Sequence, residues 1–147
     1  MQKILRNRNH FRKALGIILF IAIIFTALSS AVSATIGISP LYQHISAISA
    51  SLSIASNGLA TAGGTVLPST SNSTTTLTVE LQRQSGNTWE YLQSWSNSGS
   101  GTRTIAQQGQ RFVVRGTYRV LVTAVVRCSS TNRVLETATR LSHEITH

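Results

Sequence analysis

The chain has 147 residues, with 13 lysines and arginines against four acidic residues and a formal charge of +9. The part of the chain that would remain after removal of an N-terminal leader is long enough for one domain with a single core. Cys128 is the only cysteine, which excludes an intrachain disulfide, so stability has to come from packing. We predict that Cys128 is an inert, partly buried small apolar residue.

The first 34 residues have the pattern of a secretory signal peptide. Five basic residues precede the apolar run at 14–28, and the small residues SSAVSA follow it. We expect a helical leader that is cut between Ala34 and Thr35; a cut after Ala31 and an uncleaved anchor are the alternatives. The predicted location is secreted, extracellular or at the cell envelope, with membrane contact only through an uncleaved leader.

Export changes the meaning of the positive charge. Once the five basic leader residues are removed, the formal charge of +9 falls to +4, carried by scattered arginines. Scattered arginines on an exported protein do not favour nucleic acid as a partner. They favour a mild attraction to anionic cell-wall polymers or other surfaces.

Alternation of apolar and polar residues predicts a β domain at 45–141, between a linker at 35–44 and a C-terminal tail at 142–147. Asn57-Gly58 and the SGN at 85–87 are turn signals, and SNSGSG at 96–101 is predicted as a flexible turn. The second strand has small inward residues, so a bulky side chain is expected to face it. The predicted strands are 45–54, 59–67, 75–84, 88–95, 102–107 (with 111–114 as an extension or edge), 117–128 and 133–141.

The strand at 117–128 carries the strongest pattern. One face is apolar from Tyr118 to Val126, and the other mixes arginine with aliphatic residues, which predicts a central strand. The approach to Tyr118 resembles a tyrosine corner, in which the hydroxyl binds nearby backbone. About seven short strands of this kind predict an all-β, immunoglobulin-like or fibronectin III-like β-sandwich, with a barrel as the alternative.

The segments TLTVELQR, SGNTW, LQSWS, SGSGT, YRVLVTAVV and RVLETAT resemble small exported proteins of Gram-positive (Firmicutes) bacteria. Those proteins are uncharacterised immunoglobulin-like sandwiches, and the likeness extends over residues 41–141. The resemblance implies the fold and the compartment. It implies no activity and no functional residue.

The segment NTWEYLQSWS at 87–96 holds both tryptophans of the chain. Strict alternation would place Trp89, Tyr91 and Trp95 on one face of the strand. The small inward residues of the second strand leave a hollow for a large ring. We therefore predict that Trp95 lies toward the core and that Trp89, beside the hairpin turn, is exposed.

Catalytic patterns are weak. Glu80 and Glu90, predicted to face each other across the hairpin, are more typical of solvated positions than of a glycosidase pair. The HEITH at 143–147 has the His spacing of a metal-binding helix, but we predict a disordered polar tail there. We expect no enzyme, no cofactor and no metal site.

Binding is the predicted class of function. Arg119 and Arg127 share one strand face, and Trp89 and Tyr91 form an aromatic pair. These four are the candidate ligand-binding residues. We expect an adhesion or protein-interaction module, or alternatively a carbohydrate-binding module, whose partners are cell-wall polymers, glycans or host surface proteins.

Overall fold

A computed structural model describes residues 41–147, so the predicted signal peptide at 1–34 and the first part of the linker lie outside the described residues. All regular elements of the described part are strands, as the alternating pattern predicts. Their bounds are β1 (Ile45–Ile54), β2 (Leu59–Pro68), β3 (Ser73–Ser85), β4 (Thr88–Ser100), β5 (Ile105–Phe112), β6 (Thr117–Cys128), β7 (Val134–Leu141) and β8 (Ile145–Thr146).

The strands form two antiparallel sheets that pack face to face as a β-sandwich. The smaller sheet has the order β1-β2-β5, and the larger has the order β4-β3-β6-β7, with β8 also paired to β6. β6 is central in the larger sheet, as predicted. Residues 41–147 contain no helix that could span a membrane.

The core lies between the two sheets, where the inward residues of β3, β6 and β2 meet. The predicted apolar face of β6 is fully buried, from Tyr118 to Val126. The small residues of β2 are matched by close approach of the sheets, since a Cβ added to Gly64 would lie 2.7 Å from Cγ2 of Val122. The space opposite Gly64 is therefore filled by Val79 and Val122 of the larger sheet.

The fourth strand is longer than the sequence predicts. The segment at 96–100, predicted as part of a flexible turn, continues β4 and pairs with β3. Serine and threonine hydroxyls bond across this pair, Thr76 to Ser98 and Thr78 to Ser96, each at 3.0 Å. Cross-strand partners outweigh the low strand propensity of Ser, Asn and Gly at this position. The turn begins only at Gly101, which has a φ of +72°.

The prediction of a disordered tail at 142–147 is wrong. Ile145 pairs with Tyr118 of β6, and the backbone of His147 exchanges two hydrogen bonds with Gly116. HEITH is therefore extended, and the two histidines do not share a helical face.

At the other end of the described chain, the Glu136 carboxylate of β7 accepts hydrogen bonds from the backbone of Gln43 and His44 at 3.1 and 2.7 Å. The end of the predicted linker is thus fixed to the larger sheet.

Candidate binding site

A β-bulge divides the aromatic residues of β4 between the two faces of the sheet. Leu81 pairs with Gln93 and Gln82 pairs with Tyr91, so Leu92 has no partner in β3. One extra residue reverses the side on which the following side chains lie. Trp95 therefore faces the core, whereas Trp89 and Tyr91 lie on the outer face.

Trp95 packs against the core at a position that the sequence does not reveal. It is half-buried, and its indole lies against Gly109 of β5, where an added Cβ would overlap the ring. The predicted direction of Trp95 is confirmed. The glycine of β5 leaves the space for the ring, and it pairs with Ala62, one of the small residues of β2 that were expected to face a bulky side chain.

The outer face of the larger sheet carries a connected cluster beside the β3–β4 hairpin. The guanidinium of Arg119 lies over the Trp89 ring, 4.1 Å from its centroid. The Nε of Arg119 donates to Oε1 of Gln82 at 2.8 Å, and Nε2 of Gln82 donates to Oε1 of Glu80 at 2.6 Å. We call these residues together with Tyr91 the outer-face cluster. Trp89 is half-buried in it, so the prediction of an exposed Trp89 is wrong.

Tyr91 is the solvent-facing member of the outer-face cluster. Its side chain is 61% exposed, and its position in β4 pairs with Gln82, which pairs in turn with Arg119. A stacked and hydrogen-bonded Arg119 loses little rotamer freedom when a ligand arrives. The cluster thus offers an exposed aromatic ring beside a positive charge that is already held in place.

Hydroxyl groups continue this face away from the cluster. Thr78 pairs with Ser96 on one side and Thr123 on the other, and Thr76 pairs with Ser98 in the next row. The outer face is therefore an aromatic and charged corner that continues into a surface rich in serine and threonine.

Arg127 lies apart from the outer-face cluster. It shares a strand face with Arg119, but eight residues of extended strand separate the two by about 27 Å. Its Nη1 donates to the carbonyl of Asn132 at 3.2 Å, in the turn after β6. Of the four candidate residues, the structure brings together Trp89, Tyr91 and Arg119 and leaves Arg127 at the opposite end of the strand.

Acidic and imidazole groups are dispersed. Glu80 pairs with Ser94 and Glu90 pairs with Arg83, so the two carboxylates do not face each other across the hairpin. Within residues 41–147 no three His, Cys, Asp or Glu side chains are close enough together to hold a metal ion.

Cys128 is half-buried at the end of β6, as predicted, but its surroundings are polar. Its Sγ lies 3.3 Å from the hydroxyl of Ser130. Hydrogen bonds from Ser130 and then Thr131 lower the pKa of the Cys128 thiol to about 6. A thiolate at neutral pH is nucleophilic, which does not fit the prediction of an inert side chain.

A second feature lies at the end of the sandwich that includes the β5–β6 loop, and the sequence does not suggest it. An open cavity of about 160 Å³ lies between the bulge and that loop. The tyrosine-corner bond predicted for Tyr118 is present beneath it, from the hydroxyl to the carbonyl of Val114 at 2.6 Å. We call this the loop-end cavity, and it is lined by Arg83, Leu92, Arg111, Phe112, Val113, Val114 and Tyr118.

The two features had unequal signals in the sequence. The aromatic segment of β4 points to the outer-face cluster, although Gln82 and Glu80 resemble ordinary solvated positions. The loop-end cavity depends on the bulge at Leu92, and no residue type in the sequence indicates a bulge there.

No family model, curated protein or solved structure matches the chain.

Proposed function

We propose that the chain is an exported, non-catalytic binding protein of the cell envelope or medium, and that the outer face of its larger sheet contacts a protein partner. The observation that carries the proposal is the outer-face cluster. Tryptophan, tyrosine and arginine are the residues that most often dominate protein interfaces. Here Trp89, Tyr91 and Arg119 lie together at one corner of a sheet face.

The remainder of that face suits the surrounding part of an interface. Four strands about 4.8 Å apart and five rows of outward residues cover roughly 600 Å². A standard interface buries about 800 Å² on each partner. Serine and threonine hydroxyls supply adaptable hydrogen bonds around aromatic anchors, as they do in antibody loops.

The proposal includes an immunoglobulin-like or fibronectin III-like fold for the domain and its membership of the exported Gram-positive proteins. Three strands facing a larger sheet, with a tyrosine corner where β5 leads into β6, support an immunoglobulin-like or fibronectin III-like domain. Membership of the exported Gram-positive proteins rests on the segments that resemble them. Export rests on the leader at 1–34, and a mass measurement of the chain recovered from the medium tests it.

Retention of the full chain on intact cells tests the binding face. Tyr91→Ala should lower retention at least tenfold, because a truncated interface anchor costs about 2 kcal/mol or more. Phe112→Ala is the matched control, since Phe112 is similarly exposed but lines the loop-end cavity. Arg119→Glu should also abolish retention, whereas Arg127→Glu should have a smaller effect. Equal retention of Tyr91→Ala and the native chain would exclude this face.

Carbohydrate is the second candidate ligand, favoured by one observation. Tyr91 is exposed beside a chain of hydrogen-bonding groups that runs from Arg119 through Gln82 to Glu80. Sugars bind where a ring packs against aromatic carbon and hydroxyls meet charged or amide groups. A glycan array should then give binding that Tyr91→Ala removes. An array with no signal above background would count against it.

A further inference from the structure

The loop-end cavity has the chemistry of a small anion site, separate from the outer face of the larger sheet. Two arginines, Arg83 and Arg111, line it together with apolar residues. Leu92 and Val113 at this cavity are half-buried, and both pack against the hydrophobic core. A pocket that combines apolar walls with a few convergent polar groups is the usual form of a ligand site.

Both arginines are held in place by neutral partners. Nη2 of Arg83 donates to the carbonyl of Arg115 at 3.1 Å, and Nη1 of Arg111 donates to the carbonyl of Leu92 in the bulge. A carbonyl oxygen orients a guanidinium without neutralising its charge. Each guanidinium group has five N–H donors, so donors remain for a ligand. The two oxygens of a carboxylate match two parallel N–H groups of a guanidinium.

The walls are also fixed before any ligand binds. Tyr118 is buried, and its hydroxyl holds the β5–β6 loop through Val114. Val113 of the same loop donates its backbone N–H to Gly58 at 2.8 Å. Preorganised walls reduce the entropy lost on binding.

The size of the cavity limits the ligand. A cavity of about 150 Å³ accepts benzene in a well-studied engineered protein, and the loop-end cavity measures about 160 Å³. It therefore has room for one apolar group of about benzene size.

We propose that the loop-end cavity binds the carboxylate of a small ligand, held by Arg83 and Arg111, while the ligand's apolar group packs against Leu92 and Val113. A free aromatic acid and the C-terminal residue of a peptide both carry this chemistry. Glu90 opposes the charge of the site, since it pairs with Arg83 across the β3–β4 hairpin. Its negative charge weakens the binding of an anionic ligand, so the affinity is lower than the two arginines alone would give.

Calorimetric titration of the full chain with four probes tests the proposal. Benzoate represents the free acid, and N-acetylphenylalanine represents a peptide terminus. Acetate lacks the apolar group, and N-acetylphenylalanine amide lacks the charge. We expect at least one of the first two probes to bind, and acetate and the amide to bind at least tenfold more weakly. Benzoate alone would identify a free acid as the ligand class, and N-acetylphenylalanine alone a peptide terminus.

Substitutions locate the binding. Arg111→Gln should weaken the bound acid at least tenfold, because it removes a charge-assisted hydrogen bond. Val113→Ala should weaken it through loss of apolar contact, and Glu90→Gln should strengthen it about twofold to threefold. Arg133→Gln, in the exposed turn before β7, is the matched control for charge, and Tyr91→Ala is the control for the outer face. Both controls should bind like the native chain.

Three results would overturn the proposal. They are no binding of either acid, equal binding of the acid and its amide, and an Arg133→Gln variant as weak as Arg111→Gln. Thermal unfolding of each variant identifies any loss that comes from misfolding, and Arg111 is exposed, so its replacement should leave the fold intact. Failure of the Tyr91→Ala experiment on cells would leave this site unaffected, since Tyr91 does not line the cavity.

Discussion

The contact between Trp95 and Gly109 predicts that Gly109→Ala lowers the free energy of unfolding in the native chain but raises it in a chain that carries Trp95→Ala. In the native chain, Gly109→Ala places a methyl group where the indole lies, so the ring has to leave its packed position. Burial of about 150 Å² of a tryptophan side chain is worth about 4 kcal/mol at 25 cal/mol/Å². Residual burial in the unfolded chain lowers that value to about 3 kcal/mol.

The substitution also has a favourable part. Glycine in a strand is about 0.5–1 kcal/mol less stable than alanine. Gly109→Ala should therefore lower the free energy of unfolding by about 2 kcal/mol in the native chain, a fall of roughly 10 °C in Tm. In a chain that already carries Trp95→Ala, the same change should raise the free energy of unfolding by about 0.5 kcal/mol.

Urea unfolding of the four chains, followed by circular dichroism, measures this cycle. The expected coupling between the two positions is about 2.5 kcal/mol, in the range found for residues in contact. Tyr91→Ala is the matched control, because Tyr91 lies on the other face of β4; in that background Gly109→Ala should keep its cost of about 2 kcal/mol. A coupling below about 0.5 kcal/mol, or equal coupling to Tyr91, would refute the assignment of Trp95 to the inner face.

Three further predictions concern single contacts. Glu136→Ala should lower the free energy of unfolding by about 2 kcal/mol, since it removes charge-assisted bonds to two backbone N–H groups before β1; unchanged amide exchange of those groups would contradict this. Tyr118→Phe should cost only about 1 kcal/mol in urea unfolding, because the carbonyl it releases is on an exposed loop that water reaches; a loss above 3 kcal/mol would not fit. Alkylation of Cys128 should accelerate as pH rises through about 6, where the thiol loses its proton, and Ser130→Ala should move that midpoint upward; a native midpoint near 8.5 would contradict the effect of the hydroxyl.

Alternation of side chains predicts the strands that have one buried face. β1 has the predicted bounds, and β6 has its predicted buried face from Tyr118 to Val126, because period two and a buried face impose the same pattern. The extension of β4 over 96–100 was not predictable from Ser, Asn and Gly. Those residues are in a strand because β3 offers them partners, which is a property of the fold and not of the segment.

The candidate site shows the same limit more sharply. Composition pointed to Trp89, Tyr91 and Arg119, and these three do lie together. Strict alternation failed within four residues, since the bulge at Leu92 reverses the faces and no residue type marks it. The same bulge leaves its carbonyl to Arg111 and helps to form the loop-end cavity, so that cavity could not be predicted either.

Hydroxyl-radical footprinting of the chain while it is retained on cells tests the proposed binding face most directly. Tyr91 should be protected from oxidation on retention, and Trp89 beside it should be protected as well. Phe112 should be oxidised at the same rate as in the free chain. Protection of Phe112 with Tyr91 unchanged would contradict the assignment of binding to the outer face of the larger sheet.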